Sequence, residues 1–137
     1  MKASEVAIWL EWMMRIGCPA FITGEPGVGK TSVVNQVNAK LKRRVMYTRL
    51  ALCDSVDLRG IPVTDLKAGV TRWLTPSDFP REGCPDTTWF MDEWMQGLPS
   101  VQAAAGQLLH ERMLGDYRLP DNVYICGASN RAKDRAA

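Results

Sequence analysis

The amino-acid sequence predicts one α/β domain with a mainly parallel sheet. Short apolar runs, as in buried parallel strands, alternate along the chain with segments whose apolar residues recur at helical spacing. A glycine-rich loop joins the first strand to the helix that follows it, and two later strands end in polar residues, as at the carboxyl edge of an open parallel sheet. The 137 residues are enough for one hydrophobic core, and they contain neither a repeat nor a linker.

Residues 1–17 are predicted to form a helix that packs on a core formed by residues 18–137. The apolar residues of this segment fall at i, i+3, i+4 and i+7, the pattern of an amphipathic helix: Val6, Trp9, Leu10 and Met13. Ser4 is suited to cap the start of the helix and Gly17 to end it. Two glutamates interrupt the apolar stretch, which is too short to cross a bilayer, so we predict neither a signal peptide nor a membrane segment.

Strands and helices then follow in alternation. In chain order we predict a strand at 20–23, a helix at 31–42, a strand at 45–50, a strand at 87–91, a helix at 99–114 and a strand at 123–128. The strands are rich in β-branched and aromatic residues, whereas each helix carries one apolar stripe. Pro99 suits the first turn of the later helix, and Gly115 is placed to close it.

The segment 54–80 contains glycines and prolines at intervals that are typical of turns. No long helix or strand is therefore predicted there. Residues 61–63 and 70–73 are β-rich, and we expect them to pair as a small hairpin across residues 65–69.

The strongest motif is a phosphate-binding loop between the first strand and its helix. It matches G-x-x-x-x-G-K-[ST] and consists of Gly24, Glu25, Pro26, Gly27, Val28, Gly29, Lys30 and Thr31, with Ser32 next in the helix. Glycines let the backbone curl so that successive N–H groups surround an anion, and the helix adds the positive end of its dipole. We expect Lys30 to reach the β- and γ-phosphates of a nucleotide and the Thr31 hydroxyl to bind Mg²⁺.

Two later strands end in side chains suited to phosphate chemistry. Asp92 and Glu93 follow the strand at 87–91, at the edge of the sheet where the phosphate loop also lies. Asp92 is suited to hold Mg²⁺, and Glu93 is suited to orient and deprotonate an attacking water. Asn130 follows the last strand, where its amide either contacts that water or the γ-phosphate or simply makes a turn.

The order of these motifs resembles the Walker A, Walker B and sensor 1 set of AAA+ ATPases. Four stretches resemble the MoxR-like branch of that family, especially its phage and bacterial members: 57–62, 92–93, 98–104 and 115–120. The resemblance implies a P-loop NTPase fold, which is a three-layer αβα sandwich, with ATP and Mg²⁺ as cofactors and ATP hydrolysis as the activity. It also implies that Lys30, Glu93 and Asn130, the last as sensor 1, act in catalysis.

The same resemblance implies how the domain works with other molecules. The family acts as rings, so we expect a homo-oligomeric ring, a hexamer, that remodels an unknown client protein in a chaperone-like way. Segments 60–73 and 115–120 would be an inserted hairpin and the turn before sensor 1, which the branch uses to touch partners or its central pore.

Reduced cysteines fit a cytoplasmic location.

Two departures from the family pattern stand out. Residues 94–96 read Trp-Met-Gln, where many members carry Asn or Arg shortly after the acidic pair. The chain ends at Ala137, before the family's arginine finger, fifth strand and helical lid, so we expect a partial domain with an unpaired sheet edge at 20–23, and slow hydrolysis. Arg131 and Arg135 are interpreted as solvated or structural arginines and not as the finger.

Composition limits the other functions. The net charge of +2 and the lack of a basic stripe interleaved with aromatic residues argue against a nucleic-acid motor or helicase loader. No two of the four cysteines lie at a metal-ligand spacing, so no zinc site is predicted. The main alternative is a nucleotide-dependent binding or scaffold module with little turnover, followed by a nucleic-acid-associated ATPase and, more weakly, a small-molecule kinase.

Overall fold

The computed structural model describes residues 1–131. In chain order its helices and strands are α1 (Ala3–Ile16), β1 (Ala20–Gly24), α2 (Lys30–Lys40), β2 (Arg44–Arg49), α3 (Ser55–Arg59), β3 (Ile61–Asp65), β4 (Val70–Leu74), β5 (Thr87–Asp92), α4 (Pro99–Glu111), β6 (Met113–Leu114), β7 (Tyr117–Arg118) and β8 (Val123–Asn130). Two 3₁₀ turns, Leu50–Leu52 and Trp94–Gln96, lie among them. The α/β alternation that the sequence predicted is confirmed.

The centre of the domain is a parallel sheet in the order β1-β8-β5-β2. The inner strands β5 and β8 are buried along almost their whole length, which explains why both read as continuous apolar runs. Among the described residues, β1 and β2 form the two edges of this sheet. Because the strands are parallel, their carboxyl ends meet at one end of the sheet, where the functional side chains were predicted.

Hydrophobic cores cover both faces of the sheet and give the predicted three-layer αβα sandwich. Successive residues of a strand point to opposite faces, so β5 contributes Phe90 to one core and Trp89 and Met91 to the other. The first core is closed by residues of α1 and α2, including Leu10, Val34 and Val37. The second is closed chiefly by α4, through Val101, Ala104, Ala105 and Leu108.

The helix α1 confirms the predicted N-terminal helix and, with Val6 and Leu10, part of its inner face, but not its cap. It begins before Ser4, and the side chain of Glu5 accepts a hydrogen bond from the backbone N–H of Lys2 at 2.8 Å, which satisfies the first turn instead. Gly17 ends the helix in the left-handed conformation, as predicted. The inward row is Val6, Leu10 and Met14, whereas Trp9, predicted to face inward, is 50% exposed.

The helix α4 ends earlier than predicted. Arg112 adopts the left-handed conformation, and its guanidinium donates to the carbonyl oxygens of Pro120 at 2.7 Å and Val123 at 2.8 Å. These contacts turn the chain away from the helix axis, so Met113 and Leu114 pair with β7 in a small hairpin. Gly115 therefore lies in the hairpin turn and does not close the helix, which corrects the prediction.

The hairpin predicted within residues 54–80 is confirmed as β3 and β4, which pair in antiparallel fashion from Ile61 opposite Leu74 to Asp65 opposite Val70. A five-residue helix, α3, precedes it and was not predicted. Gly60 joins the two with a φ of 81°, and a Cβ there would lie 1.9 Å from the carbonyl oxygen of Leu74. This position therefore requires glycine.

The four cysteines form no disulfide. Cys126 lies in the core, where burial raises the pKa of its thiol to about 12. Within residues 1–131, no helix has the length and apolarity that crossing a bilayer requires. The same residues contain no cluster of three or more His, Cys, Asp or Glu side chains that would hold a metal ion.

Candidate functional site

The phosphate-binding loop links the end of β1 to the start of α2, as the motif predicted. Gly27 and Gly29 have φ values of 78° and 92°, the left-handed conformation that lets a loop curl around an anion. Gly29 immediately precedes α2, which has no side-chain cap at its start, so its first backbone N–H groups remain available to a ligand. Glu25 lies in the loop and pairs with Arg131, beyond the end of β8.

Lys30 connects the loop to the last strand of the sheet. Its Nζ donates to the carbonyl oxygens of Gly24 at 3.2 Å and Glu25 at 2.9 Å, and to Oδ1 of Asn130 at 3.2 Å. The parallel pairing of β1 with β8 sets Gly24 opposite Asn130, which explains why residues a hundred positions apart meet. The ammonium is thus held by three oxygen acceptors beside the uncapped helix start.

The acidic pair lies at the end of β5, which runs between β8 and β2 in the sheet. Asp92 is the last residue of β5, and its Oδ1 accepts from the backbone N–H of Glu93 at 2.7 Å. Glu93 adopts the left-handed conformation, with φ 53°, which turns the chain sharply away from the strand. Its carboxylate pairs with the guanidinium of Arg49, from the end of β2, at 2.9 Å.

Two residues of β2 bind the acidic pair. The register sets Tyr47 opposite Phe90 and Arg49 opposite Asp92, so both β2 side chains lie on the same face as the Asp92 carboxylate. The Tyr47 hydroxyl donates to Oδ2 of Asp92 at 2.8 Å. Partial burial and, next, the hydrogen bond with Asp92 raise the pKa of Tyr47 to about 12, so its hydroxyl stays protonated and a donor at neutral pH.

The turn after Glu93 is fixed by an aromatic contact across β8. The Trp94 ring lies edge-to-face with Phe21 of β1, with centroids 5.5 Å apart. Gly127 of β8 lies beneath both rings, because a Cβ at that position would stand 2.9 Å from each of them. The backbone N–H of Met95 also donates to the Ser129 hydroxyl at 3.2 Å. The ring contact gives a physical reason for Trp94 directly after the acidic pair, whereas Met95 contributes a backbone N–H.

Comparison with known proteins assigns the family. A family model described as the AAA domain, dynein-related subfamily, matches residues 19–134. The chain belongs to this AAA family. An AAA domain is a nucleotide-binding ATPase domain that typically uses Mg²⁺ and commonly works in oligomeric rings. No curated protein matches the chain in sequence.

Solved structures place the domain in the P-loop NTPase fold. An ATPase candidate from Cytophaga hutchinsonii aligns with a TM-score of 0.63 at 17% identity, over 94% of this chain and 38% of that chain. The RuvB Holliday junction branch migration motor of Thermotoga maritima aligns with a TM-score of 0.58 at 16% identity, over 98% of this chain and 40% of that chain. The chain thus spans about two-fifths of the length of these structures. At such identities the likeness shows the fold alone.

The AAA domain brings most of the predicted site residues to one end of the sheet. Lys30 and Asn130 are in direct contact, whereas Asp92 and Glu93 end the neighbouring strand. The hydroxyls of Thr31 and Ser32 lie in the first turn of α2, the former half-buried and the latter exposed. The remaining loop residues, Pro26 and the exposed Val28, complete the curl between the strand and the helix. Arg135 lies outside the described residues.

The donor set fits a magnesium ion. Mg²⁺ takes oxygen ligands, usually one or two carboxylates together with nucleotide phosphates and water. In this domain Thr31 offers a hydroxyl and Asp92 a carboxylate, and both lie at the carboxyl end of the sheet next to the phosphate loop. These are the residues that would hold the metal with a bound nucleotide.

Sequence reasoning missed Tyr47, Arg49 and the Trp94 packing. The β2 residues lie in a strand whose neighbour is distant in the sequence, so no local signal identifies their partners. The signal that was available is the alternation of Tyr47, Thr48 and Arg49, which puts two polar-tipped side chains on one face at the carboxyl end of a strand.

We expect Gly127→Ala to destabilise the domain by about 1–3 kcal/mol, because the new methyl group must displace the Phe21 and Trp94 rings. Urea unfolding followed by tryptophan fluorescence measures this change. Gly106→Ala, in the middle of α4 with open space around its Cβ position, is the matched control and is expected to be neutral or stabilising. Equal unfolding midpoints for the two variants would contradict the packing described for Trp94.

Proposed function

We propose that this AAA domain binds ATP with Mg²⁺ and hydrolyses it, and that the resulting movements remodel a partner protein. The observation that carries the proposal is the 3.2 Å contact between Lys30 Nζ and Asn130 Oδ1, next to the strand that ends at Asp92 and is followed by Glu93. It brings the phosphate-binding lysine within reach of the side chain expected to sense the γ-phosphate. The resemblance of segments 57–62 and 115–120 to the MoxR-like branch supports placing the domain in that branch.

Each residue has a role that follows from its chemistry. The loop N–H groups and the Lys30 ammonium bind the phosphates. The ammonium also neutralises part of the negative charge of the phosphates, which a neutral hydrogen-bond donor cannot do. Glu93 orients a water and accepts its proton as the water attacks the γ-phosphorus. The bond from that phosphorus to the β–γ bridging oxygen breaks, and ADP leaves. Asn130 holds the phosphate or the water by its amide. Magnesium held by Thr31 and Asp92 would neutralise charge on the β- and γ-phosphates.

The carboxylate of Glu93 is engaged by Arg49. The ion pair, at 2.9 Å, keeps the Glu93 side chain turned toward β2. To orient and deprotonate the attacking water, the carboxylate would exchange this contact for one with the water.

The proposed partner surface is the hairpin of β3 and β4. Its side chains are exposed along nearly its whole length, including the large apolar residues Ile61, Leu66, Trp73 and Leu74. Exposed apolar residues of this size are typical of protein-binding surfaces. We propose that a hexameric ring of such domains presents these hairpins to an unknown client protein in the cytoplasm, with neither a membrane nor nucleic acid as partner.

The test is release of inorganic phosphate from ATP by the purified chain. We expect release with millimolar Mg²⁺ and none above background when EDTA is in excess, because Thr31 and Asp92 need the metal to engage the phosphates. Binding of ATP without phosphate release would favour the alternative, a nucleotide-dependent scaffold module. Absence of both binding and release in a folded chain would refute the proposal.

A further inference from the structure

We propose that Tyr47 is a positioning residue for Asp92 and that its hydroxyl increases the affinity of the nucleotide site for its divalent cation. The inference rests on the proposed function, in which Asp92 helps to hold Mg²⁺. It concerns a side chain that neither the loop motif nor the acidic pair identifies.

Tyr47 lies in β2 next to β5, and the register puts its ring beside Phe90, with centroids 5.6 Å apart. Phe90 is completely buried, so the Tyr47 ring rests on the core although the residue is 45% exposed. From this support the hydroxyl reaches Oδ2 of Asp92 at 2.8 Å.

The Asp92 carboxylate is held through both of its oxygens. One oxygen accepts from the backbone N–H of Glu93 at 2.7 Å, and the other accepts from Tyr47. Donors on both oxygens oppose rotation of the carboxylate plane. A carboxylate has about four acceptor positions, so two remain for the cation or for water that it binds. Hydrogen bonds to ligand carboxylates generally raise metal affinity, because they fix the orientation of the ligand.

If Tyr47 served only to pack on the core, its ring would be sufficient, and phenylalanine would rest on Phe90 equally well. The hydroxyl therefore distinguishes a packing role from a role in positioning Asp92. Arg49 binds Glu93 and not Asp92, and removing the Tyr47 hydroxyl leaves that ion pair in place. Tyr47→Phe therefore changes one hydrogen bond at the acidic pair.

The experiment measures Mn²⁺ binding to the ATP-loaded chain by electron paramagnetic resonance of the free ion, with Mn²⁺ in place of Mg²⁺. Tyr47→Phe is expected to weaken Mn²⁺ binding about tenfold, the lower end of the usual effect of losing such a partner. Binding of ATP in excess EDTA and the thermal midpoint are expected to match the wild type, which shows that the variant is folded and its phosphate loop intact.

Tyr124→Phe is the matched control, since its hydroxyl donates to the carbonyl oxygen of Cys18 at 2.7 Å, at the opposite end of the sheet from Asp92. It is expected to lower the thermal midpoint without changing Mn²⁺ affinity. Unchanged or tighter Mn²⁺ binding by Tyr47→Phe overturns the inference while leaving the proposed function intact. A folded wild-type chain that binds no Mn²⁺ with ATP overturns both.

Discussion

Glu93→Gln is expected to lower the rate of ATP hydrolysis by about 10²–10⁴-fold while ATP remains bound. The amide has nearly the shape of the carboxylate but cannot accept a proton from the attacking water. Its carbonyl oxygen still accepts a hydrogen bond from the Arg49 guanidinium, which pairs with Glu93 at 2.9 Å in the wild type. The turn at residue 93, packed through Trp94, should therefore persist, and the loss should be confined to the chemical step.

The measurement is single-turnover hydrolysis with the enzyme in excess over ATP, together with a separate titration of ATP binding. Glu111→Gln makes the same chemical change at an exposed residue at the end of α4 and should leave both unchanged. If Glu93→Gln hydrolyses ATP within threefold of the wild-type rate, another group is the base and the role assigned to Glu93 is wrong.

Lys30→Ala is expected to weaken ATP binding by about 100-fold, because truncating one member of a hydrogen-bonded charge pair costs about 2–5 kcal/mol. The Lys30 ammonium is bound to three protein oxygens, and it would exchange these contacts for phosphate oxygens when it binds ATP. Because Lys30 gives up these contacts when it binds phosphate, its net contribution to ATP binding is smaller. We therefore expect a loss of binding free energy in the lower half of the range of about 2–5 kcal/mol. The alanine variant also loses the contact that joins the loop to Asn130.

Calorimetric titration with Mg²⁺ and a non-hydrolysable ATP analogue measures this effect. Lys40→Ala is the control, because Lys40 lies at the other end of the same helix, where its ammonium pairs with Glu11 at a surface that solvent screens. Wild-type affinity in a folded Lys30→Ala variant would show that ATP is held elsewhere and would remove the basis of the proposed function.

The sheet and the phosphate loop could be predicted because their signals are local. A strand, a curl of glycines and a helix follow one another within residues 20–40, and the glycines at 27 and 29 adopt the conformation that the motif demands. The acidic pair was predictable for the same reason, since a polar pair after a buried run marks the end of a strand. The contact of Lys30 with Asn130 could be expected only from the resemblance, because it depends on the pairing of β1 with β8.

The features of the fold and the site that could not be predicted depend on tertiary contacts. Apolar residues continue at helical spacing past Leu108, but the bonds of Arg112 to Pro120 and Val123 end α4 and start a hairpin. Tyr47 likewise reads as a strand residue that packs on a core, and only the neighbouring position of β5 shows what its hydroxyl meets. Local propensity is a weak guide wherever such long-range bonds exist.

The side chains of the site form a row that crosses the strands: Tyr47 and Arg49 on β2, Asp92 and Glu93 at the end of β5, Asn130 on β8, and Lys30 beside β1. Each contact in this row depends on the register of adjacent strands. Inserting one residue within β2 would turn Tyr47 and Arg49 to the other face of the sheet and separate both from their carboxylates. The hairpin of β3 and β4 forms a two-stranded sheet of its own, separate from the sheet that carries these residues. During evolution, changes in length should therefore accumulate in that hairpin, while the strands keep a constant number of residues before the site.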